Sequence, residues 1–213
     1  MRGGLSGRSV RRGHSIGEKM RRVHRIETES YRRLREMVDL SHLEPLSRAV
    51  AERVIHASAD VEYSESLVLD EEALMGGLEA LRRGAPIVTD VGMVAAGITA
   101  REALCYVSDE RAELLAEHLG ITRSAAGFRL AEKEAGYGAV WVVGNAPTAL
   151  FELIELNPRP ALVVGLPVGF VGAAESKEGL ISSGLPAVTN HGPKGGSAVA
   201  AAALNALLYF EEG

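Results

Sequence analysis

Cysteine is almost missing from this chain: Cys105 alone occurs in 213 residues. One thiol forms no internal disulfide, supplies no cysteine metal cluster and excludes dithiol redox chemistry, a usage that suits a reducing, cytoplasmic compartment. Aromatic residues are sparse too, at 5%, too few for the stacking platforms that hold single-stranded nucleic acid. Long apolar runs are absent. The longest uncharged stretch, residues 135–151, has 17 residues and is broken by Pro147 and several glycines, and the 15 uncharged residues from Pro160 to Ala174 are broken by Pro167, short of the roughly 20 that a membrane-spanning helix needs. Nothing ahead of it resembles the apolar core of a signal peptide.

Several catalytic signatures are missing as well. The six histidines, His14, His24, His42, His56, His118 and His191, form no H-x-x-x-H pair, so no catalytic metal is expected. No Walker loop occurs, and no G-x-G-x-x-G follows an early strand, which weakens nicotinamide or flavin binding. No nucleophile elbow between a strand and a helix supports acyl transfer.

What is present is an ordinary globular composition, 46% hydrophobic and 24% charged, with 24 glycines. This length and balance suit one domain with a short appendage. The net charge of -5 hides an asymmetry: residues 1–35 hold 11 Lys/Arg against 3 Glu, and residues 36–213 hold 12 against 25. A basic arm fits nucleic acid, an acidic small molecule or a solvated tail. Its first nineteen residues show no apolar periodicity. We divide the chain into a basic, flexible extension over 1–24 and a domain over 25–213.

From Ile26 the pattern becomes regular. Helical spacing recurs in IETESYRRLREMV and EPLSRAVAERVIHA, predicting two opening helices. Short apolar runs at 66–69, 85–89, 104–107, 139–143, 161–165 and 186–189 then alternate with helical patterns near 71–83, 92–99, 109–119, 123–135, 146–156, 173–183 and 196–209. Near-continuous β-branched runs separated by helices predict an α/β fold, a three-layer open and mostly parallel sheet with helices on both faces. A (β/α)8 barrel needs more strands and about 250 residues.

In such sheets ligands bind beyond the carboxyl ends of the strands. The residues there are Thr89-Asp90, Ser108-Asp109, Gly144 to Thr148, Leu166 to Phe170 and Asn190 to Gly192, a rim of small, polar and glycine residues. Capping explains several individually. The segment GPKGGSAVAAAALNALL carries Lys194 into a small-residue helix, whose first N–H groups suit an anion. Thr122-Arg123-Ser124 also opens a helix, and a guanidinium there suits a carboxylate, with a surface ion pair as the alternative. His56 ends the apolar pattern RVIHAS ahead of Asp60 and Glu62; a half-buried imidazole there serves either structure or proton transfer.

These segments together resemble the precorrin-8X (cobalt-precorrin-8) methylmutase family. The resemblance covers Ile26 to Leu208 and rests on IETESY, RVIHASADVE, GAPIVTDVGMVAAGIT, TRSAAG, GNAPTALFELIEL, PALVVGLPVGFVGAAESKEGL and KGGSAVAAAALNAL. It implies an isomerase of cobalamin biosynthesis that shifts a methyl group from carbon 11 to carbon 12 of a corrinoid, giving hydrogenobyrinate or, with cobalt, cobyrinate. No cofactor and no metal are implied. It also implies a homodimer with shared active sites, with His56 as the catalytic proton donor and Ser30 as a substrate contact. Taken with the rim, the candidate substrate-binding residues are Ser30, Thr89, Asp90, Met93, Arg123, Ser124, Asn145, Pro147, Gly169, Lys177, Lys194, Gly195, Gly196 and Ser197. The expected partners are a corrinoid and a second copy of the chain, not nucleic acid or membrane. Two other readings remain at this point: a corrinoid carrier without catalysis, and a nucleotide-binding α/β protein. The chain departs from the family at Ser58-Ala59-Asp60, where T-G-D or C-G-S is common, which makes the backbone there less permissive.

Overall fold

The computed structural model describes residues 25–211, so the extension set apart at 1–24 lies outside the described residues. Helices α1 (Arg25–Met37) and α2 (Pro45–Ser58) open the domain, and a short α3 (Tyr63–Ser66) leads into the two-residue β1 (Leu67–Val68). Then follow α4 (Glu71–Arg82), β2 (Ile87–Thr89), α5 (Gly92–Gly97), α6 (Glu110–Leu119), α7 (Arg123–Ala135) and β3 (Val140–Val143). The chain closes with α8 (Pro147–Leu156), β4 (Leu162–Gly165), α9 (Ala173–Ser183), β5 (Ala187–Asn190) and α10 (Ser197–Leu208).

Local chemistry sets several helix starts. Asp70, Asp109 and Thr122 accept hydrogen bonds from first-turn N–H groups of α4, α6 and α7, and Pro45 and Pro147 sit in the first turn of α2 and α8, where proline's missing N–H costs nothing. α2 lacks a cap of its own. Its Leu46 and Ser47 N–H groups donate instead to the Glu71 carboxylate of α4, at 2.9 and 2.8 Å.

The sheet has the order β1-β5-β4-β3-β2; β2 to β5 are parallel and β1 is antiparallel. Because parallel neighbours follow chain order, right-handed crossovers put α7, α8 and α9 on one face. The other face is left to α2, α4 and α10. Strand side chains alternate accordingly. Val140, Val142, Leu162, Val164 and Val188 pack toward α2, α4 and α10, whereas Trp141, Val143 and Val163 pack toward α7, α8 and α9 with Phe128 and Leu150. Each such burial is worth about 1.5–3 kcal/mol.

The three-layer, mostly parallel architecture matches the sequence expectation. One strand does not: the run 104–107 contributes only the bridge between Val88 and Leu104. Leu104 exchanges two backbone bonds with β2, and the chain then turns through Tyr106 to Asp109 to enter α6. The alanine-rich α10 is also not a surface helix. It is buried along nearly its whole length and packs on α2 and α5, so its small residues serve close packing within the subunit.

Candidate active site

The carboxyl ends of β2 to β5 form one rim. β1 runs the opposite way and starts there, Leu67 lying opposite Asn190. The last turn of α2, which reaches β1 through α3, is thereby delivered to the rim, and with it His56.

Two interactions fix the imidazole. Ser30 Oγ is 2.9 Å from His56 Nδ1, and the Tyr31 ring stacks on it, centroids 4.7 Å apart and planes 15° apart. Both come from α1, which is tied to α2 by a bidentate pair, Arg35 donating to the buried Glu52 carboxylate at 2.7 and 2.8 Å. Leu34 is buried in the same seam. Among the described residues His56 Nε2 has no hydrogen-bond partner. His56 lines a cavity of about 290 Å³ together with Glu27, Tyr31, Arg53 and Ala57, over a floor of Gly97, Ala198, Ala201, Ala202 and Asn205. Asn205 locks that floor, donating to Gly97 O at 2.8 Å and accepting from Thr99 N at 3.4 Å.

Beyond His56, α2 ends on Ala59 in the left-handed region at φ 53°. Asp60 and Glu62 follow, and Lys194 Nζ bridges both carboxylates at 2.6 Å each. The hydrogen bond from Lys194 holds the Asp60 carboxyl below its usual range. The same pair of bonds holds the Lys194 ammonium well above its own.

Other candidates fall into two groups. Thr89, Asp90 and Lys177 are buried, and their polar atoms are engaged within the chain. Asp90 accepts from the N–H groups of Gly144, Asn145 and Ala146 at 3.2, 2.8 and 2.7 Å. Burial nonetheless pushes its carboxyl up, against those donors. Lys177 donates to Asn190 Oδ1 at 3.0 Å and to Lys194 O, and burial pushes it down to about 8. These side chains brace the rim and do not face it. Ser124 and Ser197 are buried at the first turns of α7 and α10. The second group is accessible: Met93, Arg123 and Asn145 are exposed, and Pro147, Gly169, Gly195 and Gly196 are half-buried. Thr122 Oγ1 lies 2.7 Å from Thr148 Oγ1, placing Arg123 beside the start of α8. Gly195 must be glycine, since a Cβ there would meet Leu166 O at 2.3 Å. Gly196 N donates to the same carbonyl.

Tyr31, Glu27 and Arg53 are wall residues that sequence reading did not single out. The signal was available: Arg53 precedes His56 by three on one helix, and Glu27 precedes Tyr31 by four, spacings that share a helix face.

A half-buried imidazole, held at one nitrogen and lining a rim cavity, is arranged as in an α/β enzyme that takes a small molecule. Among the described residues no group of three or more His, Cys, Asp or Glu could hold a metal ion. Comparison with known proteins narrows the class. The precorrin-8X methylmutase family model matches residues 25–210, and the chain belongs to this family. It is 47% identical over 178 residues to the cobalt-precorrin-8 methylmutase of Salmonella typhimurium, covering 80% of this chain and 85% of that one. It is 43% identical over 194 residues to the precorrin-8X methylmutase of Pseudomonas aeruginosa, covering 85% and 93%. The solved precorrin-8X methyl mutase of Thermus thermophilus superposes with a TM-score of 0.78 at 36% identity, covering 86% of this chain and 93% of that one.

Proposed function

We propose that His56 drives an intramolecular methyl transfer on a corrinoid, from carbon 11 to carbon 12 of precorrin-8X or its cobalt form. The chain is a methylmutase-family isomerase of cobalamin biosynthesis. The observation that carries the mechanism is the Ser30–His56 contact. A hydroxyl donating to Nδ1 selects the tautomer with the proton on Nε2, the nitrogen that faces the cavity. The neutral ring hydrogen-bonds ring C through Nε2–H, and the imidazolium, whose Nδ1–H then donates to Ser30 Oγ, transfers its Nε2 proton to ring C and returns to the neutral form; either favours the tautomer from which the methyl migrates. The carbon 11–methyl bond breaks as the carbon 12–methyl bond forms, so atoms balance within the substrate. Such a step asks the protein for positioning and one proton donor. A carrier would need no imidazole held this way, and the relatives carry the names of enzymes, which disfavours the carrier reading.

The cavity supports a shared site. At about 290 Å³ it falls below the roughly 300–1,000 Å³ of pockets that enclose drug-sized ligands, and a four-ring corrinoid is larger still. One ring enters, and the rest of the macrocycle lies over the rim toward Arg123 and Ser124. Exposed Met93 at the start of α5 and Phe170 and Val171 on the loop before α9 stand at the rim, an apolar surface suited to a second subunit. The buried α10 gives the dimer no support. We therefore propose a homodimer with composite sites, checked by sedimentation at micromolar concentration. The acidic body argues against nucleic acid, and the single thiol suits the cytoplasm. Among the described residues no helix is long and apolar enough to cross a membrane.

The test is turnover of metal-free and cobalt-containing substrate by His56→Ala. The expected result is a folded protein that still binds substrate and loses about 10²- to 10⁴-fold in rate. Ser30→Ala should lose less, roughly 3- to 10-fold, the worth of one neutral hydrogen bond. Near-wild-type turnover in His56→Ala removes the imidazole from the mechanism.

A further inference from the structure

We infer that Arg53 is the residue that recognises an acid side chain of the substrate, the one borne by the ring that His56 protonates; this rests on the methylmutase reading above. Among the described residues Arg53 is the sole arginine or lysine on the cavity wall. Its guanidinium stands 5.3 Å above the Tyr209 ring, and Tyr209 is in turn held by Thr99, whose Oγ1 is 3.0 Å from the phenolic oxygen. Stacking on a ring fixes the long side chain while leaving its N–H fork unspent. Among the described residues no carboxylate pairs with Arg53. The acid beside it in sequence, Glu52, is fully engaged by Arg35.

The other cations at the rim are placed differently. Lys177 is buried on Asn190 and the Lys194 carbonyl, and Lys194 is shared between Asp60 and Glu62. Arg123 opens a helix on the opposite face of the sheet. Arg53 therefore brings a positive charge that no carboxylate among the described residues pairs with, one helical turn from His56, into the cavity that takes the reacting ring. A planar fork pairs bidentately with a carboxylate and gains nothing comparable from an amide. Arg53 thus fixes which edge of the macrocycle enters, and selects substrates whose acid groups are not yet amidated.

The experiment is a cycle of enzyme and substrate changes. Wild type, Arg53→Gln and Arg53→Lys are assayed with precorrin-8X and with analogues carrying one side-chain carboxylate as a primary amide. Arg53→Gln is expected to raise KM about 10- to 100-fold with kcat within about 3-fold of wild type, the range for a charge-assisted bond. One amide position should raise the wild-type KM similarly and add nothing further in Arg53→Gln, because both changes delete one contact. Arg53→Lys should fall between, and carries the same cycle should the glutamine variant be insoluble. An unchanged KM, or amide and mutational penalties that add at every position, overturns the assignment. Absent wild-type turnover of the unmodified substrate would instead refute the methylmutase reading.

Discussion

Gly97→Ala tests whether the floor of the cavity is as closely packed as the structure shows. A Cβ at Gly97 would lie 2.6 Å from the Cβ of Ala201, against 3.4 Å or more in ordinary contact, so α5 and α10 must part by about 0.8 Å. Alanine has no torsion with which to yield, and α10 is buried and cannot shift alone. Overpacking of this kind costs about 1–3 kcal/mol, which for a domain of this size lowers Tm by roughly 2–12 °C. The displacement also reaches the site. Gly97 and Ala201 both line the His56 cavity, and Asn205 bridges from α10 to the Gly97 carbonyl. A shift approaching 1 Å in a positioning surface costs up to about 10²-fold in rate, so kcat/KM should fall by about 10-fold or more. Urea unfolding and steady-state turnover measure the two effects. Gly76→Ala is the control: it lies inside α4 with nothing within 4 Å of an added Cβ, and should stabilise by about 0.5–1 kcal/mol without touching turnover. A Gly97→Ala variant as stable and as active as wild type would refute the packing argument.

Two further substitutions report on the rim. Ala59 holds φ 53°, a conformation costing an alanine about 1–2 kcal/mol; Ala59→Gly relieves it, and after glycine's greater unfolded freedom should stabilise by about 0.5–1 kcal/mol in urea. Lys177 has a folded pKa of about 8 against an ordinary 10.5, so between those values the unfolded chain holds a proton that the folded one has released, and stability from this group rises with pH. Lys177→Met should remove that rise, read as the difference between the two unfolding curves from pH 7 to 10.5; coincident slopes would show that Lys177 does not titrate with folding.

The sheet was legible because its strands are buried on both faces. Runs such as AVWVV and ALVVG need no alternation to be recognised, and the helices between them carry their own caps at Asp109 and Thr122. The run 104–107 has the same composition and fails because strand pairing is decided by neighbours, and Asp109 recruits the chain into α6 after a single bridge. At the site, His56 was singled out by its place at the end of an apolar helix pattern. Its partner Ser30 lies 26 residues away, a separation no local period encodes, and was found only through the family resemblance. Lys177 misled for a physical reason. A lysine inside a helical pattern reads as solvent-facing, since burying an ammonium is costly, and only the acceptors supplied by Asn190 and the Lys194 carbonyl make its interior position tenable.

Lys194 illustrates how geometry changes a role. From sequence it is a cation beside a helix start, suited to clamp a substrate carboxylate. In the structure it shares one positive charge between Asp60 and Glu62, leaving the cluster with a net charge of -1. A third carboxylate arriving there meets repulsion, so the ammonium serves to neutralise two acids close to His56 and not to bind a third. Each pair is partly exposed, with 43% of the Lys194 side chain accessible, and water screens it, so it adds little to folding. Lys194→Met should therefore leave stability nearly unchanged. It exposes an incoming polyanion to two uncompensated carboxylates, so KM should rise, and the rise should shrink as salt screens the charges over about 8–10 Å. Adding Asp60→Asn and Glu62→Gln to Lys194→Met removes the repulsion and should return KM to near the wild-type value. If KM stays high in the triple variant, Lys194 contacts the substrate directly and the neutralising role is wrong.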